Sequence, residues 1–292
     1  MISISKRLTT LCFIAVLTAC SFVQTTPTPS SPSRSPQPAT LTPYRPPTST
    51  PLPLIPSATP EPRDTGWRLI APGIEWRRLW TEVNAEQERL SLVRLDPDQV
   101  RLRVLYQPVT PRQVSQWAAD LPTALVVVNA SYFSADNHVT GLVVSDGVPW
   151  GHSYDDFAGM LAVDNDGHVT LRWLRTWPFN PQEILAQAVQ SFPVLVKPGG
   201  QMGFPPNADE GQRSRRTVVA QDKSGRIVLL VSPGFRYSLH ELAVWLTESD
   251  LELDVAMNLD GGTSTGLWIR EFETIDSSIP IPAVIVVEST GQ

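Results

Sequence analysis

A proline-rich stretch divides this chain into two parts of different character. Between residues 25 and 62, proline recurs at short intervals among serine and threonine. Proline fixes φ and has no backbone N–H, so such a run excludes helices and sheet ladders and favours extended polyproline II. We therefore assign residues 21–64 to a disordered linker that holds a globular domain, residues 65–292, away from its attachment point. A Pro-rich ligand for a partner domain is the alternative.

The first twenty residues have the features of an export signal. Lys6 and Arg7 precede a short apolar run, residues 11–17, which is too short to span a bilayer but suits a signal peptide. The run ends in Leu-Thr-Ala-Cys20, which resembles the lipobox of bacterial lipoproteins, where the thiol receives a diacylglycerol and cleavage leaves Cys20 first. Residues 1–20 are thus predicted to be a lipoprotein signal peptide, and the chain an extracytoplasmic, membrane-anchored lipoprotein. A short signal peptide with an incidental cysteine is the alternative.

Charge and cysteine content exclude several classes of partner and site. The formal net charge is −6 and the pI about 5.3, which argues against nucleic acid as a partner because such binding needs clustered Lys and Arg. Both cysteines, Cys12 and Cys20, precede the globular part, so no disulfide or thiolate metal site is available there. We predict no cofactor and no metal. Asp164–Gly167 could suggest calcium but is more simply a hairpin turn.

The globular part is predicted to be one α+β domain of mixed or antiparallel β-sheets with a few flanking helices. Many short apolar segments are separated by turn residues, and they do not alternate regularly with helices as parallel βαβ units would. Ser238 and Glu241 form a capping box at the start of one helix. Strands are predicted at 83–95, 100–106, 125–128, 141–144, 160–163, 169–173, 194–196, 217–221, 227–232, 255–258, 267–269 and 283–287, and helices at 110–119, 182–189 and 238–248.

Three segments place polar residues and glycines where an apolar strand stops. They are Val126–Phe133 with Thr140–Gly147, Arg215–Asp222, and Ala256–Thr265. Together and in this order, they resemble the phosphodiester glycosidase family, which includes the lysosomal enzyme that removes N-acetylglucosamine from its phosphodiester. The resemblance covers roughly residues 68–289 and implies a hydrolase that acts on a phosphosugar or polysaccharide substrate.

The resemblance is incomplete at four positions. Ala130 and Ser131 stand where the family usually has two glycines in its first motif, and Ala220 and Thr263 replace one glycine each in the second and third. Because an added Cβ narrows any surface that a ligand approaches closely, we expect these changes to affect the choice of substrate more than the fold.

Cleavage of a sugar from a phosphodiester requires stabilisation at the anomeric carbon and at the departing phosphate. Asp260 is our candidate for the carboxylate, as nucleophile or as base for water; a turn-capping Asp is the alternative. Arg216 suits the phosphate because a guanidinium binds two phosphate oxygens at once. A surface ion pair is the alternative for Arg216, but Thr217 follows it as in the Arg-Thr pair of the family.

The other candidates surround these two groups. Asn129, which we predict to be catalytic together with Asp260 and Arg216, ends an apolar strand with an amide that could bond sugar hydroxyls or orient Asp260. Asn258, which we predict to bind substrate, ends another strand in the same way, and a turn role is the alternative for both. Tyr132 offers an apolar wall to a sugar, whereas Phe133 is as well suited to core packing. The remaining predicted substrate-binding residues are Thr217, Thr140, Gly141, Gly261, Gly262 and Ser264, with Thr265 as a further donor to phosphate.

Two other functions use the same residues. A cell-surface module that binds glycans without cleaving them is motivated by the replaced glycines, and a transferase would use an acceptor hydroxyl in place of water. A Ser-His-Asp hydrolase is disfavoured, because the chain has no Gly-x-Ser-x-Gly elbow and its four histidines lie in unrelated contexts.

Overall fold

The computed structural model describes residues 62–290. The predicted signal peptide, Cys20 and nearly all of the predicted linker lie outside the described residues. Arg63 and Asp64 already contact a strand, since the Arg63 carbonyl accepts a hydrogen bond from Trp80 N at 2.8 Å and Asp64 pairs with Arg77 at 2.7 Å. Within residues 62–290, no helix has the length and apolar character needed to cross a bilayer.

Eighteen strands and two α-helices follow one another in this part of the chain. The helices are α1 (Val114–Ala119) and α2 (Leu239–Glu248). The strands are β1 (Arg68–Ala71), β2 (Ile74–Val83), β3 (Glu86–Leu95), β4 (Val100–Tyr106), β5 (Val126–Asn129), β6 (Val143–Ser145), β7 (Val148–Trp150), β8 (Gly159–Asp164), β9 (Val169–Trp173), β10 (Leu185–Ser191), β11 (Val194–Lys197), β12 (Gln201–Met202), β13 (Ser214–Asp222), β14 (Ile227–Tyr237), β15 (Leu253–Asn258), β16 (Leu267–Ile269), β17 (Glu273–Ile275) and β18 (Ala283–Ser289).

The strands form three sheets in which all named pairs are antiparallel, one of the two arrangements predicted for the domain. The largest sheet has eight strands in the order β1-β2-β3-β14-β13-β15-β11-β12. Two five-stranded sheets have the orders β7-β6-β10-β8-β9 and β17-β16-β5-β18-β4. The strands that end in the predicted site therefore belong to two sheets, with β5 in one and β13 and β15 side by side in the other.

Apolar side chains from all three sheets meet in one central core. Successive residues of β13 alternate between its two faces, so Val219 enters this core whereas Val218 and Ala220 pack on the side of α2. The side chain of Arg216 follows the alternation and lies on the α2 side, while Thr217 faces inward. Arg216 and Thr217 therefore lie on opposite faces of the eight-stranded sheet.

The predicted helix at residues 182–189 is wrong, because these residues contribute to β10. Their composition favours a helix, but β10 pairs with β6 on one side and β8 on the other. The Gln187 side chain links β10 to its surroundings, since its Oε1 accepts from Val104 N of β4, in the other five-stranded sheet, at 3.0 Å and from Asp146 N, in the turn between β6 and β7, at 3.2 Å. Tertiary pairing has overridden local propensity.

The other two helices are present, one with a later start. Arg112 pairs with Ile281 as an isolated bridge, so α1 begins at Val114 and not at Thr110. The capping box of Ser238 and Glu241 is confirmed at α2. The turn at Asp164–Gly167 is also confirmed, because it joins β8 to β9 in a hairpin.

Candidate active site

Asn129 joins the three strand termini that the sequence predicts to meet. Its Nδ2 donates to the backbone carbonyl of Asp260 at 2.6 Å, and its Oδ1 accepts from Thr217 Oγ1 at 2.8 Å and Gly266 N at 3.0 Å. The side chain is 1% exposed, so its amide serves protein groups and orients the turn that carries Asp260. Asn129 is therefore a positioning residue in this geometry, one of the two roles proposed for it.

Asp260 lies just beyond the end of β15 and is largely buried. Burial raises its pKa from 3.8 to about 6, although hydrogen bonds from the Ser264 side chain and from Gly261 N, the latter at 2.8 Å, oppose the rise. The loss of hydration therefore raises the pKa of Asp260 by more than these two hydrogen bonds lower it. A carboxylate held in this way is a stronger base and nucleophile than one with an ordinary pKa.

The turn after Asp260 brings its own backbone close to the backbone of β13. Gly262 has a φ of +59°, in the left-handed region that favours glycine. A Cβ on Gly261 would come within 2.9 Å of the Arg215 carbonyl oxygen, so only glycine fits against β13. Ser264 and Thr265 are buried here, and Thr265 Oγ1 accepts from Thr217 at 3.3 Å. These hydroxyls support the turn in this structure.

Tyr132 is close enough to the candidate carboxylate and to the candidate cation for both charges to influence its pKa. Burial is the largest cause of its raised pKa; the charge of Asp260 raises the pKa further and that of Arg216 lowers it. The Tyr132 hydroxyl donates to the Phe192 carbonyl at 3.1 Å and accepts from Asn258 Nδ2 at 2.7 Å. The phenol is thereby fixed, and it stays neutral at physiological pH.

Asn258 has an acceptor with no partner among the described residues. Its Nδ2 is bonded to Tyr132, to the Phe192 carbonyl at 3.2 Å and to the Leu259 carbonyl at 2.6 Å, but Oδ1 is buried and unpaired. An unpaired buried acceptor is costly, and a hydroxyl donor of a ligand or a water would satisfy it.

Arg216 is a buried cation without an ion-pair partner in residues 62–290. Nε donates to the Tyr237 carbonyl at 3.1 Å and Nη2 to the Gln212 carbonyl at 2.6 Å. Burial lowers its pKa, while nearby Tyr132 and Asp209 oppose the change. The guanidinium lines an open cavity of about 290 Å³ together with Tyr132 and Phe192. Asp209 and Glu210 line the same cavity, so an anion would be stabilised there only where it reaches the guanidinium directly.

Aromatic side chains that the sequence did not single out complete one wall. The Tyr132 and Phe192 rings are 4.8 Å apart, Tyr154 packs edge-on against Phe192 at 5.2 Å, and Phe157 lies 5.5 Å from Phe192. Burial raises the pKa of Tyr154, with a hydrogen bond from Thr140 opposing and Asp260 adding to the rise, so this phenol lies close to the candidate carboxylate.

The predicted Thr140-Gly141 pair contributes to the same wall. Thr140 Oγ1 is hydrogen-bonded to Tyr154 OH, and a Cβ on Gly141 would collide with the Tyr154 ring. Gly141 therefore provides room for an aromatic residue. Phe133, in contrast, packs beside α1 and lies away from this wall, as its core-packing alternative requires.

The replaced glycines of the first motif do not narrow an exposed surface, contrary to expectation. Ala130 is 1% exposed, belongs to the central core and accepts a hydrogen bond from Asp260 N at 3.0 Å through its carbonyl. Ser131 is 2% exposed and donates from Oγ to the Gln190 carbonyl at 3.2 Å. Both added side chains face inward and leave the ligand side unchanged.

Comparison with known proteins gives a family match. A family model described as phosphodiester glycosidase matches residues 122–288. No curated protein matches the chain.

Two solved structures share the fold. One is the zebrafish N-acetylglucosamine-1-phosphodiester alpha-N-acetylglucosaminidase catalytic domain, auto-inhibited by its pro-peptide, at 17% identity and a TM-score of 0.61, covering 76% of this chain and 85% of that one. The other is a hypothetical protein from Synechocystis at 17% identity and a TM-score of 0.54. That match covers 74% of this chain and 62% of the Synechocystis chain.

Proposed function

The chain belongs to the phosphodiester glycosidase family, and we propose that it is a hydrolase that releases a sugar from a sugar-1-phosphodiester. The observation that carries the proposal is the position of Tyr132, which lines the cavity with Arg216 and is hydrogen-bonded to Asn258, two residues before Asp260. The charges of Asp260 and Arg216 both influence its pKa. A carboxylate and a guanidinium near one aromatic wall match the two charges that develop when this bond breaks.

The chemistry assigns one task to each group. The bond between the anomeric carbon and the phosphate oxygen breaks, and the electron pair leaves with the phosphate monoester. Asp260 either attacks the anomeric carbon or takes a proton from the attacking water, and in both cases it compensates the positive charge of the oxocarbenium-like transition state. Arg216 stabilises the negative charge on the departing phosphate, which is a good leaving group and needs a cation more than an acid.

We expect the pH dependence of kcat/KM to report the ionisation of Asp260. The carboxylate form is the active one, and its pKa is raised to about 6 by burial, so kcat/KM should fall about tenfold per pH unit below pH 6 and level off above it. A pH–rate profile on a small phosphodiester, whose own phosphate does not titrate in this range, measures this fall in kcat/KM. A fall that begins only near pH 4, or activity that rises on acidification, would contradict this assignment.

Sugar release from defined substrates tests the proposed function itself. The full chain is incubated with a panel of methyl phosphodiesters of sugar 1-phosphates, beginning with N-acetylglucosamine because the zebrafish structural neighbour is named for it. Free reducing sugar and methyl phosphate should appear in equal amounts, whereas transfer to an added alcohol would reveal a transferase. Retention of the diester without release would favour the glycan-binding alternative, which the exposed Thr263 still motivates although Ala130 and Ser131 are buried.

The N-terminal sequence supports a proposal for where the protein acts. We propose that a lipid on Cys20 anchors the chain to the outer face of a membrane and that its substrate is a cell-envelope or extracellular polysaccharide. Wild-type chain expressed in a bacterium should remain with the membrane fraction, and the Cys20→Ser variant should be released from it. Equal partitioning of the two proteins would exclude lipidation as the anchor.

A further inference from the structure

A second cavity continues from the Arg216 cavity along the surface of the domain. The Arg216 cavity, of about 290 Å³, and a neighbouring cavity of about 380 Å³ are both lined by Phe192, Pro193, Phe204 and Ala208. The shared residues make the two cavities adjoining parts of one groove. Phe192 also forms part of the active site, because its carbonyl accepts from Tyr132 and its ring packs on the Tyr132 ring.

The far part of this groove has positive charge and an aromatic surface. Arg175 and Lys197 line it, and both lie over the ring of Trp173, at 5.1 Å and 5.4 Å from the ring centroid. No carboxylate is among its lining residues within the described part of the chain. In a protein with a net charge of −6, this local arrangement favours an anionic ligand.

Lys197 is the more available of the two cations. Arg175 already forms an ion pair with Asp156 at 2.9 Å, whereas Lys197 forms none in residues 62–290. Lys197 ends β11, next to the turn of Gly199 and Gly200, and its side chain is partly exposed beside Trp173. A compact ammonium in this position can neutralise an incoming phosphate at little cost in desolvation.

We propose that this groove binds the neighbouring repeat of a polymeric sugar phosphate, with a sugar on Phe192 and Phe204 and the next phosphate at Lys197. The inference rests on the proposed function and specifies its substrate as a chain of sugar phosphates. Aromatic faces take the apolar face of a sugar. Arg216 at one end of this platform and Lys197 at the other provide one cation for each phosphate of a ligand in which sugars alternate with phosphates, and Asp209 and Glu210 line only the Arg216 end. The part of the groove beside Arg216 would hold the phosphate whose bond is cleaved.

The test compares one polymer with one small ester. The full chain is assayed on a linear polymer of N-acetylglucosamine 1-phosphate repeats and on the methyl phosphodiester of the same sugar, which carries a single phosphate. For Lys197→Gln, the ratio of kcat/KM on polymer to kcat/KM on ester should fall about fivefold at low salt, the size expected of one partly exposed charge pair, and Lys197→Glu should lower it further. Added salt should reduce the difference from wild type. Arg68→Gln is the matched control, because it removes an exposed positive charge from β1 at the opposite edge of the sheet, and it should keep the wild-type ratio.

A binding measurement distinguishes an error in the groove assignment from an error in the proposed function. The full-length Asp260→Asn variant is titrated with the polymer, with and without Lys197→Gln. Weaker binding in the double variant supports the groove even where hydrolysis is not detected. If wild type releases sugar from the small ester but Lys197→Gln changes neither the ratio nor the affinity, the groove assignment is overturned and the hydrolase proposal stands. A single-stranded oligonucleotide of equal charge that binds as tightly as the polymer would overturn the assignment to a sugar phosphate.

Discussion

Asp260→Asn is expected to lower kcat/KM on a sugar-1-phosphodiester by roughly a thousandfold or more, because the only carboxylate that we place at the anomeric carbon is removed. Asparagine has nearly the same shape, and its Oδ1 can still accept the hydrogen bond from Gly261 N. Substrate binding through Arg216 should therefore persist. Initial rates of sugar release measure the loss, and near-normal KM for any residual activity would fit a role in the chemical step.

The same substitution should increase stability above pH 6, which distinguishes it from ordinary damage to a fold. The folded pKa of about 6 lies above the ordinary value of 3.8, so the native state binds this proton more tightly than the unfolded state does. Wild type therefore loses stability as pH rises from 4 to 6, by an amount on the order of 2–3 kcal/mol, whereas asparagine does not titrate. The difference in Tm between variant and wild type should be small at pH 4 and positive at pH 7.

Asp222→Asn is the matched control for this experiment. Asp222 is also buried, but it accepts hydrogen bonds from Ser224 N and Arg226 N and pairs with the Arg226 guanidinium at 2.7 Å, in the turn at the far end of β13. Its replacement should lower Tm and leave kcat/KM close to wild type. If Asp260→Asn lowered Tm at pH 7 in parallel with activity, Asp260 would have a structural role and not a catalytic one.

Arg216→Gln is expected to lower kcat/KM by roughly a hundredfold to a thousandfold, since it removes the cation that we place at the leaving phosphate. Arg216→Lys should recover only part of the loss, because an ammonium keeps the charge but not the planar fork. Burial lowers the pKa of the guanidinium, so its charge does not stabilise the fold, but its hydrogen bonds to the Tyr237 and Gln212 carbonyls do, and either variant should show a modest fall in Tm. Steady-state kinetics with thermal unfolding of the same samples measure both effects.

Arg215 is the control for Arg216, since the two neighbours have opposite orientations. Arg215 donates to Ser278 Oγ at 3.1 Å and to the Asp276 carbonyl at 2.9 Å, away from the Tyr132 wall. Burial lowers the pKa of both arginines and each makes two hydrogen bonds, so Arg215→Lys should reduce Tm about as much as Arg216→Lys does but change kcat/KM by less than about threefold. A larger loss of kcat/KM in Arg215→Lys than in Arg216→Lys would mean that the phosphate site has been assigned to the wrong arginine.

The convergence of the site was predictable from sequence because each motif couples a strand end to a polar group. Asn129, Thr217 and Asp260 are far apart in the chain, but each lies at or near an end of an apolar strand; β13 and β15 are adjacent in one sheet, and β5 meets them where its own sheet packs against that one. The distinction between Arg215 and Arg216 also follows from strand alternation once β13 is placed. What this pattern does not encode is which buried amide is fully hydrogen-bonded, and Asn129, with both amide atoms paired, differs in this respect from Asn258, whose Oδ1 has no partner among the described residues.

The aromatic wall could not be predicted in the same way. Tyr154 lies in an irregular segment and Phe192 in the connection between β10 and β11, so neither has a periodic pattern, and their proximity to Asp260 depends on how the sheets pack. The incorrect helix at residues 182–189 has a related cause, because pairing on both sides of β10 outweighs the helix propensity of its residues. The inward orientation of Ala130 and Ser131 likewise depends on tertiary packing.

The hydrogen bonds of Asn129 also determine when in folding the site can exist. They join residues 131, 88 and 137 positions apart in the chain and link a strand of one sheet to the termini of two strands in another. Contacts between such distant residues close large loops and form late. A newly made chain should therefore acquire catalytic competence only when its sheets have docked, so that partly folded molecules remain inert toward their substrate.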